Sequence, residues 1–268
     1  MNAQGFKIVI PARYASSRLP GKPLIKIAGK PMIQHTYERA KQCMADEVVI
    51  ATDDQRIADE ASQFTNDIIM TSKDHDSGTE RLAEVVEIKG WHEDTIVVNV
   101  QGDEPLILPQ HIELVAKSLE ENTLAGLSTL ASPIESIADI FDTNIVKVVL
   151  DYQGNALYFS RAVIPWARDS FSMQADMNKI GEENINKLMA QNNWYRHIGL
   201  YAYRVSTLKR YITLQPCMLE KTESLEQLRI LYNGIAIHVS IVEDQPGHGV
   251  DVEADIAKVE EQLRAYND

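Results

Sequence analysis

Short apolar runs rich in β-branched residues alternate with capped helical stretches through the first half of the chain, and this alternation constrains the fold more than any other feature. Lys7–Ile10, Glu47–Thr52, Asp67–Thr71 and Thr95–Val100 read as strands. Between them the pattern predicts helices opening at Pro31, which suits a first helical position, at Asp53 as an N-cap, and at Ser77-Gly78-Thr79-Glu80, which has capping-box spacing. A fourth helix follows Pro109. Strands alternating with helices make βα units and a mainly parallel sheet, so an α/β fold is expected. From about residue 146 the pattern changes: Val146–Asp151 and Ala156–Arg161 flank Tyr-Gln-Gly-Asn and predict a hairpin, hence a smaller antiparallel or mixed lobe. Residues 168–195, polar and marked by Met, Asn and Gln, predict a mobile excursion. Beyond them the pattern predicts a strand at His197–Arg204, a helix at Leu219–Tyr232 stopped by Gly234, a strand at Ile237–Val242 and a closing helix at Glu253–Tyr266.

A chain of 268 residues with 44% hydrophobic content can bury a full core as one large domain or two unequal ones. Its formal net charge of -13 would repel a nucleic-acid backbone, which leaves a local pocket for a small anion as the better fit. Cys43 and Cys217 have neither metal-ligand spacing nor a disulfide framework. The N-terminus lacks a signal-peptide pattern, and no apolar run approaches the ~20 residues of a membrane span. A cytoplasmic protein without membrane insertion is expected.

Against this acidic background, the first 37 residues carry Lys7, Arg13, Arg18, Lys22, Lys26 and Lys30 and no Asp or Glu. The strand at Lys7–Ile10 opens into Pro-Ala-Arg-Tyr-Ala-Ser-Ser-Arg-Leu-Pro-Gly-Lys-Pro, at the strand end where open α/β sheets bind ligands. Arg forks, a Lys point charge and backbone N–H groups together suit a polyphosphate. The alternative is a solvated basic surface; punctuation of residues 13–23 by Gly and Pro, rather than a helical layout, favours the anion loop. It is not a Walker loop, because Gly-x-x-x-x-Gly-Lys-Ser/Thr is absent, and Gly247-His248-Gly249 lacks the third Gly of a dinucleotide fingerprint.

Gln101-Gly102-Asp103-Glu104-Pro105 follows the strand at Thr95–Val100, where Asp103 could hold Mg²⁺ against phosphate oxygens. In isolation the same residues describe a capped turn. Asp251, in Pro246-Gly247-His248-Gly249-Val250-Asp251, could be a second carboxylate, or an ordinary pre-helix Asp. Acids for a metal and bases for phosphates together make a cation–polyphosphate constellation.

Seven segments, in order and spread over nearly the whole chain, carry a resemblance. They are Ile-Pro-Ala-Arg-Tyr-Ala-Ser-Ser-Arg-Leu-Pro-Gly-Lys-Pro (10–23), Asp-Ser-Gly-Thr-Glu-Arg (76–81), Val-Gln-Gly-Asp-Glu-Pro (100–105), Tyr-Phe-Ser-Arg-Ala (158–162), Arg-His-Ile-Gly-Leu-Tyr (196–201), Leu-Glu-Gln-Leu-Arg (225–229) and Gly-Val-Asp (249–251). Each is weak alone; as a series they closely resemble the 3-deoxy-manno-octulosonate (Kdo) cytidylyltransferases. The resemblance implies a nucleotide-diphospho-sugar transferase-like three-layer sandwich, formed by residues 1–268 as a single domain, with a smaller sugar-binding and dimerisation lobe at about 146–217. It also implies CTP, Mg²⁺, a homodimer and a product that feeds lipopolysaccharide synthesis. On matching positions, Arg13, Ser17, Arg18 and Lys22 resemble the triphosphate loop. Ser77, Gly78, Thr79, Arg81 and Gln101 resemble the surroundings of cytosine and ribose. Asp103 and Asp251 are similar to the metal ligands, and these two with Arg13 and Lys22 make the catalytic set. Arg161, His197, Tyr201, Glu226 and Gln227 match sugar-binding positions; Arg161 has a physical reason too, since the sugar acid carries a carboxylate. Strand packing is the plainer reading of His197 and Tyr201.

The reaction implied is in-line attack of the sugar's anomeric hydroxyl on the α-phosphorus of CTP, with no covalent enzyme intermediate and no general base evident from the residues. Kdo-specific relatives read Leu-Glu-His-Ile-Glu-Met-Leu-Glu-Gln where this chain has Leu-Glu-Lys-Thr-Glu-Ser-Leu-Glu-Gln (219–227), and Thr where it has His248. On one continuous helix Thr222 would lie a turn before Glu226 and add polarity beside a sugar-facing position. The acceptor is therefore expected to be Kdo or its 8-amino-3,8-dideoxy analogue. A CMP-sialic acid synthetase or other sugar nucleotidyltransferase would share the basic loop, but segments 196–201 and 225–229 speak against it. A non-catalytic nucleotide-binding regulator would not need two separate metal carboxylates.

Overall fold

A computed structural model describes residues 5–15, 19–75, 77–171, 189, 193–244, 249–250 and 252–267, without the side chains of 169, 170, 266 and 267. The chain forms two compact units, one of Met1–Ser128, Leu200–Thr213 and Pro246–Asp268, the other of Thr129–Gly199 and Leu214–Gln245. Among the described residues no helix is long and apolar enough to cross a membrane.

The first unit follows the βα pattern. It contains β1 (Lys7–Ala12), a small hairpin of β2 (Lys26–Ile27) and β3 (Lys30–Pro31), α1 (Met32–Ala40), β4 (Glu47–Thr52), α2 (Gln55–Ala61), β5 (Ile68–Met70), α3 (Gly78–Lys89), β6 (Ile96–Asn99) and α4 (Pro109–Glu121). Strands β1 and β4, β4 and β5, and β1 and β6 pair in parallel, with Ile10 opposite Ile50 and Val9 opposite Asn99. Residues 8–12 and 96–99 are wholly buried, as central strands covered on both faces must be.

Two of the predicted helix starts shift by one residue. Pro31 is the N-cap rather than the first residue of α1, because it still pairs with Lys26 in the small hairpin. The N-cap of α2 is Asp54, whose Oδ1 accepts from the Arg56 N–H at 3.0 Å. Asp53 instead pairs with Arg81 across the unit.

The chain passes between the units along β7 (Leu127–Pro133) and later β10 (Tyr195–Arg204). The second unit adds α5 (Ile137–Phe141), an antiparallel hairpin of β8 (Lys147–Leu150) and β9 (Ala156–Ser160), and α6 (Arg168–Phe171). Its core packs Ile134, Ile140, Phe171 and Trp194. Most of the predicted mobile excursion at 168–195 lies outside the described residues. β10 ends antiparallel to β6, with Tyr201 opposite Asn99, and runs into α7 (Val205–Tyr211).

The helix predicted over Leu219–Tyr232 is two helices, α8 (Met218–Glu223) and α9 (Gln227–Tyr232). Ser224 takes φ 54 and ψ 51 between them, a left-handed turn that ends α8. Thr222 and Glu226 therefore do not share a helix, and the one-turn relation expected between them fails. β11 (Ile237–Ile241) completes the second unit; α10 (Glu253–Asn267) belongs to the first, where Val259 and Leu263 pack with Ile27, Met32, Leu106 and Val250.

Candidate active site

The basic loop leaves the buried end of β1 and is closed at its base by the Gly21 N–H donating to the Tyr14 carbonyl at 2.9 Å. Gly21 has φ 70, and a Cβ there would lie 3.1 Å from the Tyr14 ring, so glycine is required twice over. The turn at Lys22–Leu24 then carries Lys22 inward. Its side chain is only 8% exposed, and its Nζ lies 2.6 Å from Asp103 Oδ2. Arg13 is exposed at the other end of the loop. The Tyr14 ring is covered by the Arg56 guanidinium at 3.3 Å, and Arg56 in turn pairs with Asp54 at 2.7 Å. Ser17 and Arg18 lie outside the described residues.

Asp103 is aimed by a turn packed against that same strand end. The Gly102 N–H donates to the Pro11 carbonyl at 3.3 Å, while its own carbonyl accepts from Thr36 Oγ1 at 3.3 Å. A Cβ on Gly102 would meet the Pro11 oxygen at 2.9 Å, which only glycine avoids. The Asp103 carbonyl accepts from the Val250 N–H at 3.1 Å. Two segments about 150 positions apart in sequence thus meet here. Asp251, next to Val250, and His248 lie outside the described residues. Among the described residues no group of three or more His, Cys, Asp or Glu could hold a metal ion.

Ser77 caps α3, its Oγ accepting from the Glu80 N–H at 3.2 Å. Thr79 is buried in the first turn, and a Cβ on Gly78 would make ordinary contact with the Gln101 side chain and Pro11. This helix start therefore lies alongside the Gln101 turn. Gln101 Nε2 donates to Asn99 Oδ1 at 3.3 Å. Arg81, 2% exposed, donates to Asp53 at 2.8 Å and to the Thr71 hydroxyl. It braces the ends of β4 and β5 against α3. The signal for Asp53 was the doubled acid Asp53-Asp54 after a strand, of which only one can cap the helix.

In the second unit, Arg161 follows β9. Its Nε donates to the Glu223 carbonyl at 2.9 Å and its Nη1 to the Thr143 carbonyl at 3.1 Å. His197 accepts or donates at Nε2 to Thr129 Oγ1 at 3.0 Å and meets the Phe159 ring edge to face at 4.9 Å. Burial pushes its imidazole down to about 3, so it is neutral near pH 7. Gln227 is buried, and its Nε2 has no hydrogen-bond partner among the described residues. Glu226 is exposed at the start of α9. Tyr201, half-buried on β10, belongs to the first unit and stacks obliquely on Tyr203 at 5.9 Å. Glu223 and Lys147 escaped sequence reasoning; Glu223 is one of several charges in Leu219–Gln227 and Lys147 a lone one in an apolar strand, and only the fold brings them to the Arg161 backbone.

The sequence profile of the cytidylyltransferase family matches residues 7–240. A 3-deoxy-manno-octulosonate cytidylyltransferase of Thioalkalivibrio sulfidiphilus (strain HL-EbGR7) is 50% identical over 97% of this chain and 99% of its own. The protein of the same description from Idiomarina loihiensis (strain ATCC BAA-735 / DSM 15497 / L2-TR) is 51% identical over 94% of this chain and 96% of its own. A solved structure of CMP:2-keto-3-deoxy-manno-octonic acid synthetase complexed with CTP matches with a TM-score of 0.85 at 41% identity, covering 98% of this chain and 99% of that one.

Proposed function

The chain belongs to the cytidylyltransferase family, and from that premise we propose that it transfers CMP from CTP to a 3-deoxy-octulosonic acid, releasing pyrophosphate and activating the sugar for lipopolysaccharide synthesis. The observation that carries this reading is the meeting of Lys22 and Asp103 at 2.6 Å at the end of β1, a phosphate-binding base beside a metal-binding acid. The anomeric hydroxyl oxygen bonds to the α-phosphorus as the bond from that phosphorus to the bridging oxygen breaks; pyrophosphate keeps the electron pair, and the hydroxyl proton passes to water.

Lys22 and Arg13, extended by Ser17 and Arg18, hold the charge that grows on the departing pyrophosphate. Ser77, Gly78 and Thr79 bring the start of α3 to cytosine and ribose, Gln101 borders them, and Arg81 acts by bracing that helix. The donors fit Mg²⁺: Asp103 supplies a hard oxygen on a side chain that is 39% exposed, and Asp251 is a chain neighbour of a residue hydrogen-bonded to Asp103. Bound there, the ion would reduce repulsion between the triphosphate and the anionic sugar. On the sugar side Arg161 pairs with the carboxylate, His197 and Tyr201 border the ring, and Glu226 and Gln227 meet hydroxyls; the orphan Gln227 Nε2 is a donor in want of an acceptor. The protein acts in the cytoplasm as a homodimer.

The expected result for Asp103→Ala or Asp251→Ala is near-complete loss of Mg²⁺-dependent pyrophosphate release with the circular dichroism spectrum retained; near-wild-type turnover in either would remove that residue from the site. The acceptor has a second candidate. Thr222 and Ser224 are exposed polar residues just before the Glu226 carboxylate, which favours an acceptor bearing an ammonium group, the 8-amino-3,8-dideoxy analogue of Kdo. Side-by-side kinetics decide: the larger kcat/KM identifies the substrate, and preference for ordinary Kdo rejects the amino sugar.

A further inference from the structure

The backbone of one residue in the second unit, Arg161, is held by opposite charges, one on its N–H and one on its carbonyl. The Arg161 N–H donates to Glu223 Oε2 at 3.0 Å, and the Arg161 carbonyl accepts from Lys147 Nζ at 2.7 Å. Glu223 uses its other oxygen to accept from Ser160 Oγ at 2.6 Å. Lys147 is fully buried and spends its remaining donors on the carbonyls of Asp142 at 2.8 Å and Ile145 at 2.7 Å, so all three ammonium hydrogens are satisfied. Burial alone would expel such a charge and does lower the Lys147 pKa, while Asp142 and Glu223 act to retain it. Apolar side chains would hold a hairpin end more cheaply than a buried lysine and a glutamate.

The same contacts fix the guanidinium. The carbonyl of Glu223, one of the last four of α8 and so without a partner in its own helix, takes Arg161 Nε at 2.9 Å, and Thr143 takes Nη1 at 3.1 Å. The left-handed turn at Ser224 ends the helix there. Two of the three guanidinium nitrogens are thereby anchored, and Nη2 has no partner among the described residues. An arginine presented this way offers a rigid pair of donors to a carboxylate.

We infer that Glu223 is a positioning residue for substrate recognition: with Lys147 as its counterpart on the Arg161 carbonyl, it orients Arg161 so that the open end of the guanidinium receives the carboxylate of the sugar acid. This rests on the reading of Arg161 as the carboxylate's partner, given above.

The test is a double-mutant cycle on the full-length enzyme, using E223A, R161A and the double variant, with KM for the sugar acid, KM for CTP and kcat measured for each. E223A is expected to raise KM for the sugar acid about tenfold while KM for CTP stays within about twofold. In the R161A background the same change is expected to add less than about twofold, because its target is gone. A glutamate that merely supports the fold would multiply with R161A and disturb both KM values; either result overturns the inference. If R161A raises KM for the sugar acid and E223A does not, Arg161 keeps its role and the positioning inference falls. If R161A leaves that KM unchanged, Arg161 is not the carboxylate's partner, and both fall. Should E223A fail to fold, E223Q enters the same cycle. Its amide keeps one acceptor, so a smaller rise of about threefold, again lost in R161A, is expected, and multiplicative effects refute the inference.

Discussion

His197 shows how one side chain couples fold and chemistry. Held between Thr129 and Phe159, its imidazole is pushed by burial from 6.5 to about 3. Below pH 6.5 the unfolded chain accepts a proton that the folded chain resists, so stability must fall as the medium acidifies. The contribution of neutral His197 is complete above pH 6.5 and is lost as pH drops toward about 3. His197→Gln, which cannot titrate, should show a shallower decline of the urea midpoint over that window, by up to about one proton per chain. Equal slopes for the two proteins would show that the ring is not held neutral. Charge at this position was invisible in the sequence, where a histidine in a strand is as consistent with packing as with sugar contact.

At the level of elements, the helix break at Ser224 carries the clearest consequence. A serine held in the left-handed region costs about 1 kcal/mol, and glycine would remove that cost while adding some freedom to the unfolded chain. Ser224→Gly should therefore stabilise the protein by about 0.5 kcal/mol in urea unfolding; destabilisation would mean that the serine hydroxyl holds the turn. This break marks a limit of pattern reading. Leu219–Tyr232 carries helix-favouring residues on both sides of the break, and Thr222 and Ser224, the weaker helix formers, do not by themselves mark it. Strand β7 was hidden differently: Leu-Ser-Thr-Leu-Ala-Ser-Pro buries Ser128, Thr129 and Ser132, polar residues that mask a strand's apolar signature. By contrast β4, the cap at Ser77 and the β8–β9 hairpin were legible, because strong local signals agreed with the fold. At the candidate site, the strand-end position of Asp103 could be read from the chain, whereas the contacts that hold Arg81 and Arg161 could not: Asp53, Glu223 and Lys147 act on partners 28, 62 and 14 positions away.

Across the whole molecule, the residues proposed for the nucleotide lie in the first unit, and those proposed for the sugar, other than Tyr201, lie in the second. Substitutions in the two groups should therefore separate kinetically. Lys22→Ala is expected to raise KM for CTP by about tenfold or more with little change for the sugar acid, and Arg161→Ala to do the reverse; a common shift in both constants would contradict this division. Each unit is also stitched from distant stretches of chain, and the cluster of Ile27 and Met32 with Val259 and Leu263 is the extreme case. During synthesis, the apolar surface around Ile27 must wait for more than two hundred further residues before its covering helix leaves the ribosome. The unit begun first is thus finished after the one begun second, and its nascent form needs shielding from aggregation for most of the time the chain is being made.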